Sequence, residues 1–82
     1  MKRVDGIFSQ LETDIINAVG RRQIKITDLV EKIYDKPGPS AKQTVASLVR
    51  RIESKCEYHK LDWTLRGEGL GRNGKIIWRA ER

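Results

Sequence analysis

Residues 40–79 read SAKQTVASLVRRIESKCEYHKLDWTLRGEGLGRNGKIIWR, and the fold turns on how they are read. From Ser40 to Glu57, the apolar residues Ala41, Val45, Leu48, Val49, Ile52 and Cys56 share one broad stripe at ~100° per residue, the mark of an amphipathic helix. Opposite them lie Gln43, Ser47, Arg50 and Ser54, flanked by Lys42, Ala46 and Arg51, with Glu53 the one acid nearby. Ser40 and Gln43 have the spacing of a capping box. Leu61 to Arg66 then alternates, with Leu61, Trp63 and Leu65 on one side and Asp62, Thr64 and Arg66 on the other, as in a half-buried antiparallel strand. A basic, glycine-rich loop (Gly67 to Gly74) leads into a return strand, Lys75 to Arg79, whose Ile76 and Trp78 share a side. Asn73-Gly74 is a type I′ hairpin signal, and Trp63 and Trp78 are expected to meet across the two strands. Ile77 breaks the alternation and is expected to cover a short strand near Ile24.

Working back toward the N-terminus, Ser9-Gln10-Leu11-Glu12 is a second capping box, opening a helix with Leu11, Ile15, Ile16, Ala18 and Val19 at helical spacing. Gly20 can take the positive φ that ends it. Gln23 to Ile26 alternates isoleucine with polar residues and predicts a short strand. Thr27 is then expected to cap a second helix, with Asp28 in its first turn and Leu29, Val30, Ile33 and Tyr34 on its buried side. Asp35-Lys36-Pro37-Gly38-Pro39 stops that helix, because proline cannot continue the hydrogen-bond ladder. Two helices about a short Pro-Gly connection predict a helix-turn-helix arrangement. Residues 1–7 are expected to form a flexible arm ahead of one domain over residues 8–82.

The net charge of +6 and a pI near 9.8 point to a polyanionic partner. Residues 1–20 sum to −1 and residues 41–60 to +3, so the excess sits on the helix and hairpin. One cysteine cannot form an internal disulfide and makes a reducing, cytoplasmic setting the default. One cysteine and one histidine cannot supply a four-ligand zinc site. No apolar run reaches the ~18 residues of a membrane span. Gly69-Leu70-Gly71-Arg72-Asn73-Gly74 matches the dinucleotide fingerprint in letters alone, because β-formers follow its last glycine where that chemistry needs a helix. Cys56 reads as core and His59 as a solvent-facing connector. Without an orienting third group they make no nucleophile, so neither an enzyme nor a cofactor is expected. Tyr34 and Tyr58 are expected to pack with their hydroxyls wet.

The outer face of the long helix reads as an ordinary solvated surface or as a nucleic-acid contact. Its scarcity of acids and its small residues Ala46 and Ser47 favour the contact. Small side chains let a helix sit deep in the major groove, while arginine and glutamine can hold base edges with paired hydrogen bonds.

The order helix, short strand, helix, turn, helix, hairpin resembles winged helix-turn-helix DNA-binding domains, an α+β fold of three helices, a short strand and a C-terminal β-hairpin wing. Within that group the chain is most similar to the effector domains of OmpR/PhoB-type response regulators. Thr44-Val45-Ala46-Ser47-Leu48-Val49-Arg50-Arg51-Ile52 is similar to their recognition helix, and Thr64-Leu65-Arg66-Gly67-Glu68-Gly69-Leu70 to their wing strand. The likeness spans roughly residues 8–79. It implies Thr44, Ser47, Arg50 and Arg51 as groove or backbone contacts and Arg66 at the wing base. The chain departs from it in three places: residues 1–7 hold neither a receiver domain nor an N-terminal sheet, Leu70 replaces the family's aromatic, and Gly71 to Gly74 lengthen the wing. Phosphorelay control is therefore not implied.

The expectation is a sequence-specific double-stranded DNA-binding protein, a small nucleoid-associated transcriptional regulator. Gln43, Ser47 and Arg50 would read bases, Ala46 would meet a thymine methyl, and Lys42, Arg51, Arg66, Arg72 and Lys75 would hold phosphates. Binding as a homodimer on DNA and contact with RNA polymerase accompany it. The alternatives are a winged helix that binds an acidic protein and a DNA-bending recombination accessory protein.

Overall fold

A computed structural model describes residues 6–80, in the order α1 (Gln10–Val19), β1 (Gln23–Lys25), α2 (Ile26–Ile33), α3 (Ala41–Tyr58), β2 (Trp63–Glu68) and β3 (Lys75–Ala80). It is an α+β arrangement of three helices and an antiparallel sheet ordered β1-β3-β2. The three helices pack on one another, and α3 lies against β2. No helix among the described residues is long and apolar enough to cross a membrane. The expected arm falls mostly on residues 1–5, outside the described residues. Ile7 already packs against the core, and Phe8 is buried within it.

The first capping box forms as read. Ser9 Oγ accepts from the Glu12 N–H at 3.2 Å, and Glu12 Oε1 accepts from the Ser9 N–H at 2.9 Å. Gly20 ends α1 at φ 65°, though its ψ of −139° lies far from the left-handed helical value. The second box does not form. Ser40 sits at φ −100°, ψ 8°, and makes no side-chain cap. Its carbonyl instead accepts from the Thr44 N–H at 3.0 Å and the Thr44 hydroxyl at 3.1 Å. Thr27 is likewise not a cap. β1 runs straight into α2, Lys25 holds the capping position without a side-chain bond, and Thr27 lies inside the helix. The start of α2 is tied to the hairpin instead, its Ile26 N–H donating to the Gly74 carbonyl at 2.9 Å.

Both ends of the hairpin differ from the sequence reading. At the end of α3 the Leu61 N–H donates back to the Cys56 carbonyl at 2.9 Å, with Lys60 at φ 54°. This six-residue closure normally uses glycine at the left-handed position. It draws Leu61 into the helix end, so β2 begins at Trp63. At the tip, Asn73 does not have the positive φ that a type I′ turn requires. The turn is made earlier, by the Arg72 N–H donating to the Gly69 carbonyl at 3.0 Å, with Gly69 at φ 64°. Gly74 is wedged at the base of the loop, where a Cβ would stand 2.0 Å from the Glu68 carbonyl oxygen and 2.3 Å from the Gly69 carbonyl carbon.

Register decides the faces of the sheet. Leu65 opposes Trp78, and Ile24 opposes Ile76. Leu65 and Ile76 are fully buried, so their rows face the helices. The tryptophans are therefore not directly paired. Trp63 opposes Ala80 and lies 6.0 Å from the Phe8 ring, while Trp78 lies under the Arg21 guanidinium at 5.7 Å. Ile77 opposes Gln23 and Arg66, so it does lie against the short strand β1, but on the face away from the core and from Ile24.

The core joins Ile15 and Val19 of α1, Ile26, Leu29 and Val30 of α2, the α3 stripe, and Leu65, Leu70 and Ile76. Cys56 belongs to it. Tyr58 does not: at 82% exposure it projects into solvent, where His59 meets it edge-on at 5.0 Å between ring centroids. Glu12 is the unforeseen member, fully buried and salt-bridged to Lys55 at 2.7 Å.

Candidate nucleic-acid interface

The outward side of α3 presents Gln43, Thr44, Ser47, Arg50, Arg51 and Ser54, all exposed. They are outward because the apolar stripe, fully buried at Val45, Val49 and Ile52, fixes how the helix is rotated against the core. Arg50 enters no ion pair among the described residues. The Thr44 hydroxyl proton is committed to the Ser40 carbonyl, which leaves that side chain its lone pairs rather than its donor. Ala46 departs from the sequence reading. At 9% exposure it packs with the core, although its edge still lines the groove beside Gln43, Ser47 and Arg50.

The hairpin loop folds toward this face. Lys42 Nζ donates to Asn73 Oδ1 at 3.1 Å, tying the first turn of α3 to the hairpin loop. Between them runs a groove of about 520 Å³ lined chiefly by Lys42, Gln43, Ser47, Arg50, Leu70 and Gly71. Leu70 is buried, with its side chain folded over Gly67, where a Cβ would lie 2.3 Å from Leu70 Cδ1. Leu70 is thus an aliphatic plug at the base of the loop, and the loop carries the exposed Arg72.

Arg66 and Lys75 belong to a neighbouring surface. Their rows place them on the outer face of the sheet, Arg66 beside Ile77, and Lys75 between Lys25 and Glu68. Arg66 also lines a second groove of about 360 Å³, shared with Glu53, Glu57 and Lys60 from the last turns of α3 and the turn beyond, and with Arg79. The two grooves follow α3 from end to end. The N-terminal one is edged by cations and hydrogen-bonding side chains, and the C-terminal one sets Glu53 and Glu57 among Lys60, Arg66 and Arg79.

Of the ten residues singled out from the sequence, six of the seven on α3 stand on its accessible side, and the seventh, Ala46, is nearly buried at the floor of the groove there. Arg72 stands at the loop, and Arg66 and Lys75 stand on the sheet face that adjoins it. Sequence reasoning missed Asn73 as the partner of Lys42. A contact across 31 positions leaves no local pattern, and Asn-Gly invites a turn reading instead.

Cys56 is 2% exposed, and burial pushes its thiol up despite hydrogen bonds to Thr64 and Leu65. That is the opposite of what an activated nucleophile requires.

In comparisons with protein-family models, curated proteins and solved structures, the chain matches none.

Proposed function

We propose that this domain is a winged helix-turn-helix that binds double-stranded DNA and serves as a small sequence-specific transcriptional regulator. One observation carries the reading. The accessible side of α3 and the basic hairpin loop border a single groove, bridged by Lys42 and Asn73, so one duplex can meet both. The strand order β1-β3-β2, with α2 and α3 between β1 and β2, agrees with it.

In this reading α3 enters the major groove, where Gln43, Ser47 and Arg50 read base edges. A well-placed bidentate pair discriminates by about 1–3 kcal/mol. Lys42, Arg51 and Arg72 hold phosphates beside it, and Arg66 and Lys75 extend the contact along the hairpin. A module of this size covers about 600–1,000 Å² of protein surface, so strong binding at physiological salt calls for two copies on adjacent half-sites.

The test is selection of a binding site from a random duplex library, followed by anisotropy titration on that site across a salt series. Five phosphate contacts predict a log–log slope of roughly −4.5, and Arg50→Ala should weaken binding by about 1–3 kcal/mol and relax the preference at one base pair. A slope near zero, or full sequence preference in Arg50→Ala, would refute the reading. Normal duplex binding in both Arg50→Ala and Arg72→Ala, with loss of a protein partner, would replace it with protein recognition.

A further inference from the structure

The outer face of the sheet is more basic than the duplex reading uses. Sequence reasoning placed Arg66 and Lys75 beside Arg72 as parts of the wing. Register puts them instead in a field with Lys25 and Arg79, two cations with no role so far. The Lys25 row contains Lys75 and Glu68, the next row on this face contains Gln23, Ile77 and Arg66, and the row beyond joins Arg79 to Thr64. Lys25, Arg66 and Arg79 are exposed, and Lys75 is half-buried. Lys75 thus stands between a like charge, Lys25, on one side and Glu68 on the other, so the row carries a net positive charge.

Resting on the duplex reading above, we infer that this sheet face is a phosphate-binding surface on which Lys25 and Arg79, beyond the Arg66 and Lys75 already used, hold the flanking segment of the same DNA duplex. Three observations lead there. The face is rich in donors and poor in anchors, since Trp63 and Trp78 are turned to the core side and the half-buried Ile77 is its one apolar residue. Protein interfaces draw their strength from buried aromatic anchors, whereas a phosphate backbone needs only cations and donors. The face is also continuous with the α3 surface, because Arg66 and Arg79 line the groove that α3 shares with β2. The acids on this path, Glu53 and Glu57 in the groove and Glu68 beside Lys75, are outnumbered by Lys25, Lys60, Arg66, Lys75 and Arg79. Finally, α3 packs against β2, the edge strand of the sheet, and the groove beside them joins the two surfaces. DNA is stiff over a persistence length of about 50 nm, so a duplex that touches both must bend around that edge.

The experiment uses the full chain and the Lys25→Ala/Arg79→Ala double variant on two duplexes centred on the selected site. One is about 15 and the other about 30 base pairs long, roughly one and a half and three helical turns. Wild type should show a log–log salt slope steeper by about 1.8 on the longer duplex, from two further phosphate contacts at about 0.9 each. The double variant should lose that difference, keep its circular dichroism spectrum and bind the shorter duplex unchanged. Circularly permuted fragments should migrate with a position-dependent retardation that the double variant lacks. Equal slopes on both lengths in wild type overturn the inference and leave the α3 reading standing, whereas failure to bind either duplex overturns both. Loss of short-duplex binding in the folded double variant overturns the flanking assignment by moving these cations into the primary contact. Capture of a second labelled duplex by an immobilised complex also overturns it, by giving the sheet face to a separate molecule.

Discussion

Replacing Lys55 by methionine asks whether the Glu12 carboxylate is as dry as its packing implies. Glu12 is wholly buried. Its Oε1 takes both the Ser9 N–H at 2.9 Å and the Lys55 ammonium at 2.7 Å, while Oε2 has no partner among the described residues. Burial pushes this carboxyl up. The Lys55 hydrogen bond, the Ser9 N–H and the charges of Lys55 and Arg51 together outweigh burial and hold it below the ordinary glutamate range. In the wild type, then, the group's contribution to stability is present above the unfolded pKa and is lost as the pH falls through the lower folded value. Methionine keeps the stem that lies beside the Phe8 ring but removes the ammonium, 5.8 Å from that ring's centroid. Burial is then opposed only by Ser9 and Arg51, so the folded pKa rises and the stability that the wild type gains with rising pH is diminished.

The 3–5 kcal/mol expected for orphaning one member of a fully buried pair is too large here. The Lys55 side chain is 32% exposed, so part of its charge is already solvated. A charge-assisted hydrogen bond contributes about 1.5–3 kcal/mol, which puts the loss at about 2 kcal/mol near pH 7. For a domain of this size that corresponds to a fall in Tm of roughly 8–16 °C. Thermal unfolding followed by circular dichroism, with both proteins measured near pH 7 and about pH 4, reads it directly. The gap between them should narrow at the acid end as Glu12 takes up its proton. A gap independent of pH, or one below about 0.5 kcal/mol near neutrality, would mean that water reaches the carboxylate and that the reasoning fails.

Two further contrasts follow from the caps and glycines. Ser9→Ala should cost about 1 kcal/mol because its hydroxyl holds a backbone N–H, while Ser40→Ala, with no such bond, should stay within about 0.5 kcal/mol; equal losses in urea unfolding would contradict the cap assignment. Gly74→Ala forces a Cβ into backbone on both sides of the loop base and should cost at least about 3 kcal/mol. Gly67→Ala meets only the movable end of Leu70 and should cost about 1–2 kcal/mol; the reverse order in chemical denaturation would show that the loop base is not closed as described.

Local pattern carried far in this chain because its elements are amphipathic and their signals lie within one or two turns. The stripe from Ala41 to Cys56, the Ser9–Glu12 box and the alternation around Leu65 each needed only neighbouring residues to be legible, and each appears in the structure. The errors cluster where a tertiary contact outbid a local preference. Thr27 is no cap because Ile26 is already tied to Gly74, and the strand starts late because Leu61 closes the end of α3. The turn leaves Asn73-Gly74 because Gly74 is pinned between Glu68, Gly69 and the start of α2.

Local periodicity was enough to read the three helices, the hairpin, and which side of α3 faces water. These follow from periodicity, since a helix with one apolar stripe can bury only that stripe. Which cations stand together is settled by long-range packing instead. The register of β1 and β2 on β3 moves Arg66 and Lys75 onto a face with Lys25 and Arg79, and the fold of the loop brings Asn73 to Lys42. Such groupings depend on how elements distant in sequence pack, and charged side chains on a solvated surface leave no periodic trace of their partners.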